Sequence, residues 1–477
     1  MEGNKIISNL MWKFAERLLA QGVTLVVTLC LARILSPKDY GVVALALIVV
    51  SVAEAFATAG LGNSLIQKKN ADNVDFSSIF YFNIVFSVLL YTLIFAASPM
   101  ISYFFSEAVL TKVIRVLAIR IPIAAINTVQ QAYVSRNMLF KRFFWSTFFG
   151  TIISGVVGIL MALNGFGVWA IVAQYLTNAL IDTVVLWITV RWRPVKRFSF
   201  DRVKTLISYG WKLVVADVLD ILFVQLRNVF IGKFYSAEQL AYYTNGNLYP
   251  QALTSGINTT ISSVLFPALS KEQEDVSIIK EMTRKAVGVS SYVMWPVMLG
   301  MAAIAPCFIE VILSSKWNPC VPYIQLACVT YAFWPIHTAN LEAVRSIGRS
   351  DWVLKLEIIK NILCLMILLI SVRISVFAIA LGALLTSVIC CFINAYPNKK
   401  LIDYSFFEQI KDIFPSLVKS LLMALIVWSI GYNEKNAAIL IVQILSGMLV
   451  YVILSAVLRD RNYMYLLETA KKTVRKK

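Results

Sequence analysis

The sequence predicts an all-α integral membrane protein with about fourteen spanning helices, and three observations predict it. The 477 residues are 59% hydrophobic and only 15% charged, where soluble domains average roughly 45–50% and 25%. The apolar residues gather in runs of the ~20 that a helix needs to cross the hydrocarbon core. The polar connections between the runs are too short to fold as a domain of their own. Together these exclude a water-soluble enzyme, and also an intrinsically disordered chain, whose mark is low hydrophobicity.

In chain order the runs cover residues 10–33, 41–62, 77–98, 112–134, 145–163, 167–190, 208–231, 242–266, 287–313, 322–343, 353–372, 376–396, 415–431 and 438–457. They are helices, because a backbone in lipid must satisfy its own hydrogen bonds and the alternating strands of a barrel are absent. Amphipathic stretches at 197–207, 399–414 and 463–477 read as elbows lying in the interface. The opening Met1-Glu2-Gly3-Asn4-Lys5 lacks the pattern of a removed signal peptide.

Charge sets the orientation. The 44 basic and 26 acidic residues leave a net +18. In a soluble protein that excess would point to nucleic acid. Here the charges cluster between apolar runs, where headgroups and topology account for them, so no nucleic-acid partner is expected. One set of alternate connections holds only Arg33, Lys38, Lys112, Lys233, Lys316, Arg373 and Lys435, and the other holds 29 basic residues. The basic set adjoins both termini, which places them in the cytoplasm. Seven cysteines without zinc or redox spacing, and a single histidine, leave no expected metal. No Walker motif is present, which argues against a directly ATP-driven pump, and no cofactor is expected.

The chain reads as duplicated. Asn9-Leu10-Met11-Trp12-Lys13 opens the first run and Ser208-Tyr209-Gly210-Trp211-Lys212 the seventh, and each run ends in a short turn, Leu35 to Gly41 and Phe234 to Gln239. Two pseudo-symmetric six-helix lobes related by a parallel repeat are a common transporter plan. The expected division is 1–197 for spans one to six, 198–400 for spans seven to twelve, and 401–477 for two extra C-terminal helices and a basic tail.

Charges inside spans cost about 2.5–3.5 kcal/mol each at mid-helix on insertion scales, so they mark function by default. The uncharged run after Arg17 is too short to cross alone, so the first span takes in Lys13, Glu16 and Arg17. Lys13, Arg17 and Gln21 then share one helical stripe with Glu16 beside it. That stripe faces either a hydrated cavity or an internal salt bridge holding spans together. The seventh span repeats the pattern with Lys212, Asp217, Asp220 and Arg227, and the fourth carries Arg120, Asn127, Gln130 and Gln131 around Pro122.

A cavity lined by Lys13, Arg17, Arg120 and Lys212 selects an anion, and arginine offers phosphate a bidentate fork. Glu16, Gln21, Asp217, Asp220 and Arg227 are candidates for its polar lining or for ion coupling. Arg115, Arg227, Lys360 and Lys419 lie near span ends and read as snorkelling to the interface. Glu54, Asp182, Glu310, Glu342 and Glu357 are open to pairing with a cation or to carrying a proton or sodium ion. His337 is open to a hydrogen-bonded helix contact or to a titrating switch.

Leu31-Ala32-Arg33-Ile34-Leu35-Ser36-Pro37-Lys38-Asp39-Tyr40-Gly41, continuing to Gly60-Leu61-Gly62-Asn63-Ser64-Leu65-Ile66-Gln67-Lys68-Lys69, resembles the start of bacterial polysaccharide flippases. These are the O-antigen and exopolysaccharide (Wzx-like) members of the multidrug/oligosaccharidyl-lipid/polysaccharide exporter superfamily. The stretch Gln131-Ala132-Tyr133 through Arg136-Asn137-Met138-Leu139-Phe140-Lys141-Arg142 resembles that family's connection between spans four and five. The likeness covers essentially the whole chain.

The resemblance implies a V-shaped, MATE-like pair of lobes working by alternating access, without enzymatic chemistry. Its implied substrate is an undecaprenyl-diphosphate-linked glycan repeat unit, moved across the bacterial inner membrane for O-antigen, capsule or exopolysaccharide synthesis. It further implies membrane lipids and polysaccharide polymerase and synthase machinery as partners. A monomer is expected, since two lobes already form one cavity. The family has no fixed cavity motif, so the four cations named above rest on this sequence alone. Two rivals stand beside this reading: an ion-coupled multidrug antiporter of the same superfamily, and a membrane polymerase or ligase acting on lipid-linked glycans.

Overall fold

A computed structural model of the chain describes residues 21–58 and 61–475, and every regular element among them is helical. Two compact units divide the chain. The first, Met1–Ala241, contains α1 (described over Gln21–Ile34), α2 (Pro37–Thr58), α3 (Leu61–Gln67), α4 (Asn73–Phe105), α5 (Leu110–Leu117), α6 (Arg120–Arg136), α7 (Phe140–Leu163), α8 (Val168–Thr189) and α9 (Phe200–Phe234). The second, Tyr242–Lys477, holds most of α10 (Ala237–Lys271), then α11 (Val276–Phe308), α12 (Val321–Ala332), α13 (Trp334–Ser346), α14 (Ser350–Ser371), α15 (Val376–Leu401), α16 (Phe406–Ile430), α17 (Ala437–Val457) and α18 (Arg461–Arg475). A π-helical turn, Ile309–Leu313, and a 3-10 turn, Ser315–Cys320, follow α11.

Among the described residues, nine helical stretches are long and apolar enough to cross a membrane. The other five predicted runs also fall on helices: α1, α9, α10, the α12–α13 pair and α14. The sequence explains why they miss the mark. α9 and α14 are too charged, α10 and α12–α13 too polar, and α1 is described only from Gln21. Helices of this kind need protein or water on their polar side.

Local chemistry fixes the helix ends. Ser36 and Asp39 cap the start of α2 reciprocally: the Asp39 N–H donates to Ser36 Oγ at 3.2 Å, and the Ser36 N–H donates to Asp39 Oδ2 at 3.1 Å. At the equivalent turn before α10, the Gln239 N–H donates to Ser236 Oγ at 3.1 Å. Capping boxes also start α4 (Asp72 with Asp75) and α16 (Ser405 with Glu408). The fourth and tenth spans are each broken in two, at Ala118–Ile119 and at Phe333, with Pro122 and Pro335 in the first turn of the second piece. A proline there lacks only an N–H that is unpaired anyway, while its ring obstructs the preceding turn.

One expectation changes on contact with the structure. The 197–207 stretch is not a separate elbow, because α9 runs unbroken from Phe200 through the span; α16 likewise runs on from Phe406. An amphipathic period is the same whether a helix lies flat or continues inward, so pattern alone could not separate the two. In addition, α9, grouped by the repeat with the second half, packs within the first unit on α2, α3 and α4. The first unit's core joins Phe76, Phe80, Leu186, Trp192 and Val203. In the second unit, buried Asn340, Asn398 and Gln409 tie α13, α15 and α16: the Asn340 Nδ2–H donates to Gln409 Oε1 at 2.9 Å, and the Asn398 Nδ2–H to Asn340 Oδ1 at 2.6 Å.

Candidate functional site

A polar cleft of about 420 Å³ opens in the first unit among α2, α3, α6 and α8. The break between α5 and α6 sets Arg120 at the first position of α6, facing it. Arg120 Nε lies 3.0 Å from Glu54 Oε1 of α2, with the two side chains 30% and 16% exposed. Glu54 Oε1 nonetheless accepts no aligned hydrogen bond, so the contact is one of charge rather than of directed bonding. The guanidinium also lies 5.6 Å from the centroid of the Tyr175 ring, and the only described partner of its nitrogens is Glu54. One turn and more along α6, the Asn127 Nδ2–H donates to Asp182 Oδ2 of α8 at 2.7 Å. Asn127 Oδ1 is buried and accepts nothing from the described residues. Thr58, Asn63, Thr128, Gln131, Ser135, Asn178 and Thr183 complete the polar lining.

α7 packs closely behind α8, which carries part of the cleft lining. Gly150 of α7 lets Asn178 and Asp182 approach to 3.4–3.6 Å of the position a Cβ would take, and the Asn178 Nδ2–H reaches Ser154 Oγ at 3.5 Å. The charged groups of the described lining are two carboxyls and one guanidinium. Such a site can hold hydroxyl-rich or cationic groups as it stands. Its guanidinium can meet an anion through the terminal nitrogens once a second cation is near.

Of the predicted site residues, only some are described. Lys13, Glu16 and Arg17 lie outside the described residues, as does the side chain of Lys212. Gln21 is exposed on α1. Asp217 and Asp220 are exposed on α9 and Arg227 is half-buried there, and none of the three lines the cleft. Of the predicted cations that are described, Arg120 lines it. In the fourth span Asn127 and Gln131 join Arg120, whereas buried Gln130 turns away and its Nε2–H donates to Trp192 O at 3.3 Å.

Other in-span charges have protein partners. Lys419, expected to snorkel, is buried on α16 and ion-paired with Asp460. Lys360 pairs with Glu357 at 2.7 Å, and the Arg115 Nε–H donates to Ser98 Oγ at 2.9 Å. His337 has the plainer of its two readings, packed among Ser387, Cys391 and Asn394. Tyr175, Asn178 and Thr183 were missed. Their signal was the polar spacing Tyr175, Asn178, Asp182 along one face of an otherwise apolar α8.

A family model described as polysaccharide biosynthesis protein matches residues 30–322, more than half of the chain. The chain belongs to the polysaccharide biosynthesis protein family. Relatives cover nearly all of it. The succinoglycan biosynthesis transport protein ExoT of Rhizobium meliloti is 22% identical over 94% of this chain and 92% of its own length. The lipopolysaccharide biosynthesis protein WzxC of Escherichia coli is 21% identical over 91% and 89%, and the teichuronic acid biosynthesis protein TuaB of Bacillus subtilis is 24% identical over 84% and 85%. Among solved structures, the lipid II flippase MurJ matches with a TM-score of 0.73 at 16% identity, over 95% of this chain and 99% of that one. An inward-facing multidrug resistance MATE transporter of the MOP superfamily matches with a TM-score of 0.60 at 14% identity, over 82% and 98%. At these identities the structural likeness is one of fold.

The residues that carried the family resemblance have structural work in this member. Arg136, in the connection after α6, donates from Nη1 to Leu65 O at 2.8 Å and Lys68 O at 2.6 Å, and from Nη2 to Lys69 O at 2.8 Å. It satisfies the carbonyls left open where α3 ends. Asp39 caps α2. Gly41 lies so close to the start of α10 that a Cβ would sit 1.7 Å from Ala237 O.

Proposed function

We propose that this protein is a lipid-linked oligosaccharide flippase, moving undecaprenyl-diphosphate-linked glycan repeat units across the inner membrane by alternating access. The observation that carries the reading is end-to-end similarity to proteins named for polysaccharide biosynthesis and transport, joined to a fold shared with a lipid II flippase. The polar cleft around Arg120 supports it chemically. Asn127, Gln131, Ser135 and Asn178 present hydroxyl-matching donors and acceptors, as a glycan requires. In this mechanism Arg120, with Lys13 and Arg17 of the first span and Lys212 of α9, meets the diphosphate. The polyprenyl tail stays in lipid and no covalent bond changes. The element order supports two six-span halves: a capped turn, a broken span with proline, and a left-handed residue after it (Met138 and Gly348) recur in each.

One observation favours a second reading, an ion-coupled multidrug antiporter: the described lining has more carboxyls than cations. It ranks second because the relatives that span the chain are named for glycan biosynthesis. A polymerase or ligase ranks lower still. The alternate connections that would hold its catalytic groups, such as 35–36, 164–167, 235–236 and 372–375, are a few residues long. Deleting the gene in its host should leave lipid-linked repeat units accessible only from the cytoplasmic face of the membrane. Unchanged delivery of repeat units to the outer leaflet would contradict the reading.

A further inference from the structure

We infer that the second unit carries a binding site for an anionic glycerophospholipid, formed where α11, α16 and α18 meet the α17–α18 turn. The geometry lies in a cavity of about 870 Å³ that is separate from the Arg120 cleft. Its charges divide cleanly. Each of the three acids already has a cation: Glu281 with Lys285 at 2.7 Å, Asp412 with Arg284 at 2.7 Å, and Asp460 with buried Lys419. Three further cations, Lys411, Arg459 and Arg461, line the cavity, are exposed, and have no ion pair among the described residues. The site therefore holds three positive charges that nothing in the described residues balances, enough for a phosphodiester with a second anionic group or a neighbouring lipid.

Arg459 carries a second signal. It sits just beyond the end of α17 with φ of 46°, a left-handed position normally given to glycine or asparagine because a Cβ is unfavourable there. Retaining arginine at that position has a backbone cost, and the guanidinium it places at the cavity mouth is the evident return. Asp460, the next residue, receives the N–H groups of Asn462 and Tyr463 at 2.8 and 3.2 Å. The start of α18 is thereby capped, and the anion must be met by the side chains.

The remaining lining distinguishes a lipid from a soluble phosphate. Phe414, Val418 and Leu422 lie along one face of α16 and are 57%, 36% and 46% exposed, and Leu458 is 62% exposed. A strip of exposed apolar side chains running away from a cationic mouth matches an acyl chain below a phosphate. Basic pockets between spanning helices near the interface are used in this way. The amphipathic α18 beside the mouth fits the same headgroup zone.

The test titrates the purified, delipidated full chain with dioleoyl phosphatidylglycerol, following binding by native mass spectrometry and by the lipid-induced rise in melting temperature. Dioleoyl phosphatidylcholine, inorganic phosphate and undecaprenyl monophosphate serve as separate arms. Wild type should bind phosphatidylglycerol at least about tenfold more tightly than phosphatidylcholine. The variant K411Q/R459G/R461Q should lose that preference, while K196Q/R197Q/K204Q should keep it. Arg459→Gly alone, which suits the local backbone, should lose part of it and decides the matter if the triple variant fails to fold. Equal binding of phosphatidylcholine, equal loss in the K196Q/R197Q/K204Q variant, full competition by inorganic phosphate, or a strong preference for undecaprenyl monophosphate would each overturn the assignment.

Discussion

Arg120 lies inside a span, where an unpartnered guanidinium would be costly, and Glu54 at 3.0 Å offsets that cost. The pair holds the guanidinium at the cleft without an aligned hydrogen bond to Glu54 Oε1, and the proposed function has it meet an oxyanion there. Arg120→Lys keeps the charge and loses the fork, and should lower translocation about tenfold or more while the protein still inserts; equal transport rates at matched membrane levels would contradict this. Lys419 is different in kind. With side chains 2% and 7% exposed, the Lys419–Asp460 pair is internal. Removing one partner strands a buried charge, so Lys419→Met should destabilise by about 3–5 kcal/mol, read as a large fall in melting temperature. The double variant K419M/D460L should recover most of that, short of the cap that Asp460 gives α18. Arg120 was legible because a charge inside an apolar run stands out. Tyr175 and Asn178 are uncharged and did not. Nor could sequence pair Lys419 with Asp460, since the two are brought together only by the packing of α16 against α17, which ends at the turn that carries Asp460.

At the scale of elements, the ends of α4 and α9 are joined by charge. Asp72 caps α4 and accepts from Arg202 near the start of α9, while buried Asp75 meets Lys68 at 2.7 Å and Arg202 at 3.3 Å. The Arg202 guanidinium holds the Asp72 carboxyl at about 2, below its ordinary 3.8. A carboxyl lowered by folding stabilises the fold above its unfolded value and stops doing so as pH falls through the folded one. The difference in melting temperature between wild type and Arg202→Gln should therefore be full at pH 7 and at pH 5, and shrink as pH drops from about 4 toward 2. A difference that vanished already between pH 7 and 5 would contradict the assignment. Gly41 makes a second prediction at this scale. Gly41→Val forces α2 away from the start of α10 and should lower the melting temperature, whereas Gly165→Ala, in open space but at φ of 78°, should cost less. The short turns at 35–41 and 234–239 were readable because they depend on neighbouring residues, whereas the breaks in the fourth and tenth spans were not anticipated, since both runs are continuous in hydropathy. The unbroken α9 was not readable either, because the segment leading into it is held by tertiary contacts: the Val195 and Ser199 N–H groups donate to Ser77 Oγ and Ser78 Oγ of α4, at 2.9 and 3.0 Å.

At the scale of the molecule, composition and run length sufficed for an all-helical membrane protein, and two motifs pointed to its family. The division into units was less accessible. A repeat boundary reflects duplication, whereas a compact unit reflects packing, and α9 shows that the two need not coincide. The cleft was legible only through its charges, because most of its polar lining consists of uncharged groups gathered from four helices. The most direct measurement is translocation of an undecaprenyl-diphosphate oligosaccharide in proteoliposomes, comparing wild type with Arg17→Ala and Arg120→Ala. The account predicts flipping by wild type and its loss in both variants at equal incorporation. No flipping by wild type, together with ion-driven efflux of a cationic drug, would contradict it.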